Sequence, residues 1–456
     1  MIKGSERNYT LKIFEDIAKK EIFANQVIDD YFYLYDFDKQ QKSFISKLVY
    51  GTIENIKYID FCLNQVSKIK VNKMKPVIRH ILRMSVYQLL FMDKVPSHAA
   101  INEAVKLVEM RKLFQLKGFV NGVLRSVERK KDTFAEILSK LPIQERLSTQ
   151  YSINMDVTGY LLKQYTSDEL ENFLQQSLIQ KETCIRTNLL KIDSIALTKK
   201  ISKQAIIKKG HLLKDSMYIS DYDAMNKIDS FNRGEFQVQD ESSTLVGFVA
   251  DPKADDVVID VCAAPGGKST HIAQLLNGKG KVLACDISEA KLTRINENIN
   301  RLGLINIDSI ICDATTFVPD YKNQFDIVLA DVPCSGLGLL RTKPDIKTNM
   351  TVDKIKSLIP LQQEILQNVS LYVKPGGTLI YSTCTINKKE NRAQVNEFLE
   401  ANKEFYLETI TSDKFVHGLM DGYQFDNHII DGCIELITDS QLTDGFFIAK
   451  LKRKEV

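Results

Sequence analysis

The sequence predicts a chain in three parts: an all-helical region over residues 1–133, a small α+β module over 166–235 reached through a linker at 134–165, and a doubly wound α/β domain over 236–456. Three observations predict it. Up to about residue 130 the apolar residues recur at helical spacing and strand-type alternation is absent. From Asp256 onward the apolar runs VVID, KVLACD, SIICD, DIVLAD and TLIYST alternate with helical stretches or loops, the pattern of a mainly parallel sheet covered by helices. Val257–Lys268, VVIDVCAAPGGK, carries a strand through a glycine turn into a helix, the unit that builds a nucleotide or nucleoside site at a sheet edge.

A chain of 456 residues is too long for one core, which agrees with two to three domains. With 44% hydrophobic and 26% charged residues it has ordinary soluble composition. No apolar run approaches the roughly 18 residues of a membrane span. The stretch MIKGSERNYTLKIFEDIAKK lacks the apolar core and cleavage site of a signal peptide, so a cytoplasmic location is expected. The 8 cysteines show neither CxxC nor Cys/His spacing, which argues against a disulfide framework and against zinc, and no metal ligands are expected. Taken singly, each reads as a small buried apolar residue. Net charge is only +3, but the basic residues cluster. Lys68, Lys70, Lys73, Lys75, Arg79 and Arg83 form one group, Arg125, Arg129, Lys130 and Lys131 a second, and Lys199, Lys200, Lys203, Lys208 and Lys209 a third. Such groups suit a phosphate backbone or a solvated helix face.

In the helical region, Pro76-Val77-Ile78 starts a run with apolar residues on one face that stops near Asp93, before Pro96. Ser97 is the expected N-cap of the next helix, AAINEAVKLVEMRKL, and FVNGVLRSVERKK supplies another. YQLLFMDKVPSHAAINEAVKL together with KGFVNGVLR resembles the NusB-type RNA-binding domain, and more narrowly the version fused to the bacterial ribosomal RNA small subunit methyltransferase B family. Members of that family carry a His-Pro stretch within the following segment. This chain has Ser152-Ile153-Asn154-Met155 there and no tryptophan anywhere.

In the next module CIRTNLL and HLLKDSMYIS read as strands and IDSIALTKKISKQ as a helix, similar to the ferredoxin-like RNA-binding part of related RNA methyltransferases. GEFQVQDESS, Gly234–Ser243, joins it to the sheet and resembles the family's Gln-Asp-Glu-x-Ser segment.

Four apolar runs end in an acid: Asp260, Asp286, Asp313 and Asp331. Ligands of open α/β sheets bind beyond the carboxyl ends of the strands, so four carboxylates there select a ligand rich in hydroxyl and amine donors. The glycine loop has two readings. CAAPGGKS differs from the phosphate-binding GxxxxGK[ST] pattern by Cys262 in place of the first glycine, so a P-loop ATPase coupled to RNA is one. Acids at Asp286 and Asp313 would repel a triphosphate, however. The other is S-adenosylmethionine. Pro265-Gly266-Gly267 lets the methionine portion approach, the helix N-terminus suits its carboxylate, Asp286 suits the ribose hydroxyls, and Asp313 suits the adenine amino group.

Two thiols complete the pattern. Cys334 in DVPCSG and Cys384 in YSTCT follow consecutive strands, so on neighbouring strands they open onto one crevice. C5 of cytosine becomes nucleophilic only after a thiolate adds at C6, and a second thiol can assist the later elimination. Asp331 is placed for the N3/N4 edge of the base. The pair of motifs resembles the RNA cytosine-C5 methyltransferases. That resemblance implies Cys384 as nucleophile and Cys334 as releasing thiol. It implies that Cys262, Ala263, Ala264, Pro265, Gly266, Gly267, Lys268, Asp286, Asp313 and Asp331 contact S-adenosylmethionine on a Rossmann-like domain. Asp345, Glu390-Asn391 and the closing TDGFFIAKLKRK match the family pattern, while Thr342 stands where a second basic residue follows Arg341. The expected activity is 16S rRNA cytosine-C5 methylation by a monomer with no obligatory protein partner. A non-catalytic NusB-like RNA-binding factor is the remaining alternative.

Overall fold

The structure is a computed structural model that describes residues 5–20, 24–179, 182–415, 418–421, 423, 425–437 and 443–455. The chain divides into two compact units, Met1–Leu178 with Lys343–Thr351, and Ile179–Thr342 with Val352–Val456.

The first unit is helical. Helices Glu6–Lys20, Ala24–Leu34, Lys39–Glu54, Ile56–Val66, Pro76–Phe91, Ser97–Met110 and Lys117–Lys130 each turn an apolar stripe inward. Ile45, Leu48, Ile59, Leu63, Ile81, Leu82, Ile101, Leu107, Val120, Leu124 and Val127 are buried in one core. Pro76 sits at the first helical position, where its missing N–H costs nothing. Ser97 is not the cap: it is itself the first helical residue, and the cap position is held by Pro96, which has no side-chain acceptor.

The stretch 134–165 is not a linker. It folds into helices Phe134–Ser139, Ile143–Gln150 and Met155–Leu161, and Ser167–Gln176 follows in the same unit. Helices of six to ten residues are too short for their periodicity to stand out. Their caps were readable: Asn154 accepts from Asp156 N–H, and Thr166 with Glu169 forms a capping box. The Ser152-Ile153-Asn154 stretch is structural, because Ser152 Oγ accepts Lys57 N–H at 3.1 Å and Ile153 O accepts Lys57 Nζ at 2.7 Å. The segment 343–351 returns to this unit, where Asn154 N–H donates to Lys347 O at 2.8 Å. Asp345 lies in this segment.

The second unit holds two sheets. The smaller has β1 (Thr183–Thr187), β2 (Ile206–Lys209), β3 (Ser216–Ser220) and β4 (Phe236–Val238), in the order β2-β3-β1-β4. Its pairs are antiparallel and helix Ser194–Ile201 connects β1 to β2. This is the order of a βαββαβ ferredoxin-like module, with the second helix cut to the turn Asp229–Asn232. The module begins at β1 rather than at residue 166, and β4 comes from the expected joining segment.

It is welded to the larger sheet and not strung beside it. Glu241 is buried and accepts N–H bonds from His211, Leu212 and Leu213 and the hydroxyl of Tyr218. Arg186 on β1 is also buried, bonded to Gln239 and to Gln274 of helix Gly267–Leu275.

The larger sheet contains β5 (Val257–Asp260), β6 (Lys281–Asp286), β7 (Ile307–Ile311), β8 (Phe325–Asp331), β9 (Val373–Thr383), β10 (Phe405–Leu407), β11 (Ile429–Ile430), β12 (Cys433–Leu436) and β13 (Phe446–Arg453). The path runs β11-β12-β13-β9-β8-β5-β6-β7, with β10 paired to β13. The five strands β5 to β9 are parallel, as expected. The remainder is antiparallel, so the sheet is mixed: β13 runs against β9 from Phe447↔Thr383 to Lys452↔Thr378. The chain leaves β5 toward β6 and β7, then returns on its other side as β8. This reversal opens a crevice beyond the carboxyl end of β5.

Candidate active site

The glycine loop is pinned from both ends. Asp260, buried at the end of β5, accepts Ser269 Oγ–H at 2.6 Å from the first turn of helix Gly267–Leu275. Burial raises its carboxyl to about 6, against the Ser269 bond and with help from nearby Asp331. Gly266, at the helix N-cap, has φ +97°, a conformation that L side chains rarely adopt. Ala263 N–H donates to Cys285 O at 2.9 Å, tying the loop to β6. Burial and the surrounding acids push the Cys262 thiol up, so it is neutral.

Asp286 closes β6. Its carboxylate accepts Ala264 N–H at 2.9 Å, Ile287 N–H at 2.7 Å and Lys291 Nζ at 2.8 Å. Asp313 lies two residues beyond β7 and accepts the N–H and hydroxyl of Thr315. Asp331 closes β8, taking Lys268 Nζ at 2.6 Å and Ser382 Oγ–H at 2.8 Å. The glycine loop, Asp286, Asp313 and Asp331 therefore lie along one sheet edge, as the sequence placed them.

Lys268 is the residue whose partner the sequence did not reveal. Burial lowers its ammonium, but Asp331, Cys384 and Asp260 overcome that and raise it above the ordinary value. It lies 5.2 Å from the centroid of the Phe446 ring. The lysine that a P-loop would aim at phosphate is here committed to Asp331, and the hydroxyl of Ser269 is committed to Asp260.

β8 and β9 are neighbours, in register from Ile327↔Thr378 to Asp331↔Ser382. That brings the two thiols together, with Cys334 Sγ 3.2 Å from Cys384 Sγ and both half-buried. The bond to Cys384, burial and the Cys384 charge hold the Cys334 thiol well above the usual range. The loop after Cys334 is packed closely against Cys384: Gly338 N–H donates to Cys384 O at 3.0 Å, and Gly445 N–H donates to Gly338 O at 2.9 Å. A Cβ on Gly338 would lie 2.0 Å from Gly445 O, so only glycine fits there. Behind the thiols, Glu390 gathers Ser335, Gln362 and Asn387, a role that motif reading did not expose.

The model of the family described as 16S rRNA methyltransferase RsmB/F matches residues 248–452, and that of the NusB family matches residues 5–129. A probable ribosomal RNA small subunit methyltransferase B of Bacillus subtilis (strain 168) is 32% identical over 456 residues, 100% of each chain. Its namesake in Synechocystis sp. is 31% identical over 454 residues, 98% of this chain and 99% of its own. The crystal structure of PH0851 superposes with a TM-score of 0.79 at 23% identity, covering 99% of this chain and 100% of that one.

Proposed function

Because the chain belongs to the ribosomal RNA small subunit methyltransferase B family, we propose that it methylates C5 of a cytosine in 16S rRNA through a cysteine–C6 adduct, with Cys384 attacking and Cys334 assisting release. It is an S-adenosylmethionine-dependent RNA methyltransferase. The observation that carries the proposed mechanism is the pair of thiols 3.2 Å apart beside the Lys268–Asp331 ion pair. A fold kept only for binding RNA has no use for that arrangement.

The site suits the cofactor. Asp286 offers carboxylate oxygens at the end of the second strand for a ribose diol, and Ile287 beside it is 58% exposed, an apolar surface for a base. Gly266 and Gly267 leave the backbone open at the helix N-terminus for a carboxylate. Bound there, S-adenosylmethionine supplies an electrophilic methyl group. In this reading Lys291 gives up Asp286 to the ribose. Asp286→Asn is expected to weaken S-adenosylmethionine binding at least about tenfold, the loss of one charged hydrogen bond, with RNA affinity unchanged. Titration calorimetry measures both, and tight ATP binding in the same experiment would favour the P-loop reading instead.

The chain's own residues do the rest. Lys268 places a positive charge where the Cys384 thiolate forms. The thiolate adds to C6 and its electron pair makes C5 enamine-like. Asp331 retains lone pairs on both oxygens for the N4 amino group of the base. After transfer the C5 proton leaves toward Cys334, the C5=C6 bond re-forms and the C6–S bond breaks. A paired cytosine must first leave its stack, and with no tryptophan the stacking surface is Tyr, Phe or Arg.

RNA grip is assigned in part to the helical unit, as a single-chain cytoplasmic enzyme acting on rRNA. Lys68, Lys70, Lys73 and Lys75 lie in and around the short turn Val71–Lys73 and are all exposed, whereas Arg83 of the same group is spent on Asp60 at 2.6 Å. Replacing Lys70 and Lys73 with glutamine is expected to weaken RNA binding. It should also flatten the log K against log[salt] slope by about 0.7 to 0.9 for each phosphate that is no longer neutralised. An unchanged slope removes this cluster from the interface.

A further inference from the structure

Glu390 is fully buried, yet none of the proposed steps uses it. Its carboxylate accepts Ser335 N–H at 2.8 Å, Ser335 Oγ–H at 2.6 Å, Gln362 Nε2–H at 3.0 Å and Asn387 Nδ2–H at 2.8 Å. The four donors are neutral. Both amides are held in the donating orientation by a second partner. Gln362 Nε2 also donates to Pro333 O at 2.9 Å, and Asn387 Oδ1 accepts Lys389 N–H at 3.2 Å. Converging donors accept a carboxylate and oppose a carboxamide, whose NH2 would meet another donor. A buried carboxylate whose hydrogen-bond partners among the described residues are all neutral costs more than an apolar residue of its size, so holding loops together is a poor reason for it.

Its place supplies a better one. Pro333 and Ser335 flank Cys334, and Ser335 Oγ shares a hydrogen bond of 2.7 Å with Thr385, the residue after Cys384. Among the described residues, the charged and titratable groups bearing on Cys334 include Cys384, Glu390 and Tyr381, whose hydroxyl donates to Glu390 O at 2.6 Å. The Lys268–Asp331 pair stands across the crevice, with Lys268 bearing on Cys384.

We propose that Glu390 is a positioning residue that divides the work between the thiols: its fixed charge keeps the proton on Cys334, so that the thiolate of the pair is Cys384. The inference rests on the covalent mechanism proposed above. Two thiols in contact share one negative charge, and Lys268 draws it to Cys384 while Glu390 repels it from Cys334. Once Cys384 sulfur has given its electron pair to C6 it is a neutral thioether, and the like charge opposing ionisation of Cys334 is gone. Cys334 then gives its proton to solvent, and its thiolate takes the C5 proton as the C6–S bond breaks and Cys384 regains its electron pair. One proton leaves per turnover, and the pair returns to its starting state.

The test needs neither RNA nor cofactor. In full-length protein carrying Cys384→Ser, iodoacetamide labelling of Cys334 is followed against pH by peptide mass spectrometry. With Glu390 present the labelling midpoint is expected above that of a free thiol, about pH 8.5. Glu390→Gln is expected to lower it, raising the labelling rate near pH 8 by about tenfold, the effect of one pKa unit. Glu390→Asp, which keeps the charge, holds the midpoint high. Equal midpoints in all three proteins, or a common shift of the Gln and Asp variants, overturn the proposal, because loop-holding alone moves both variants together. If the Gln variant does not fold by circular dichroism, the parent decides: a midpoint at or below that of a free thiol overturns it. The result is independent of which cysteine attacks, which adduct trapping with RNA tests separately.

Discussion

Replacement of Cys384 by alanine is expected to abolish methyl transfer into RNA, by at least about four orders of magnitude, because no C6 adduct can form. Replacement of Cys334 by alanine is expected to leave transfer possible but to trap enzyme on RNA after one turnover. The structure sharpens this pair of outcomes. The thiols are 3.2 Å apart, so either could reach the base, and what separates them is their surroundings. Lys268 bears on Cys384, while the bond to Cys384, burial and Glu390 keep Cys334 protonated. Denaturing gels of both variants with substrate RNA decide the matter. A covalent band in Cys384→Ala and none in Cys334→Ala reverses the roles. Full product from both variants removes covalent catalysis altogether.

Lys268→Met is expected to lower kcat by about two to three orders of magnitude, comparable to losing one preorganised electrostatic group in a dry site. Among the described residues, the Lys268 ammonium is a cation that bears on the thiol pair, in a 2.6 Å bond to Asp331 and over the Phe446 ring. Without it the Asp331 carboxylate is left beside the forming thiolate. The variant should show slower alkylation of Cys384 near neutral pH and a KM for S-adenosylmethionine close to that of the parent. A raised KM with kcat unchanged would instead assign Lys268 to binding the methyl donor.

Much of the candidate site could be read before any fold was known. Loop and acids were readable because a strand end, a tight turn and a helix start leave local marks, and because an acid after an apolar run is a pattern of adjacent residues. Reading the two thiols as one site required only that consecutive strands be neighbours, which β8 and β9 are. The short helices over 134–165 were missed because six to eight residues hold too few turns to show a period, and β2 because IIKK has no alternation. Of the antiparallel half of the sheet, the closing strand β13 was expected but β10, β11 and β12 were not, and its direction was not readable because strand direction is set by pairing partners and not by composition.

Residue by residue, the sequence determined which groups stand at the sheet edge: Asp260 at the end of β5, Asp286 at the end of β6, Asp331 and Cys334 at the end of β8, and Cys384 just past β9. Only the tertiary structure decided what those groups are chemically. Lys268 meets Asp331 across 63 residues of chain, and Glu390 meets Ser335 across 55. A charge acts through space over a few ångströms, so the protonation of a thiol depends on neighbours that chain order does not reveal.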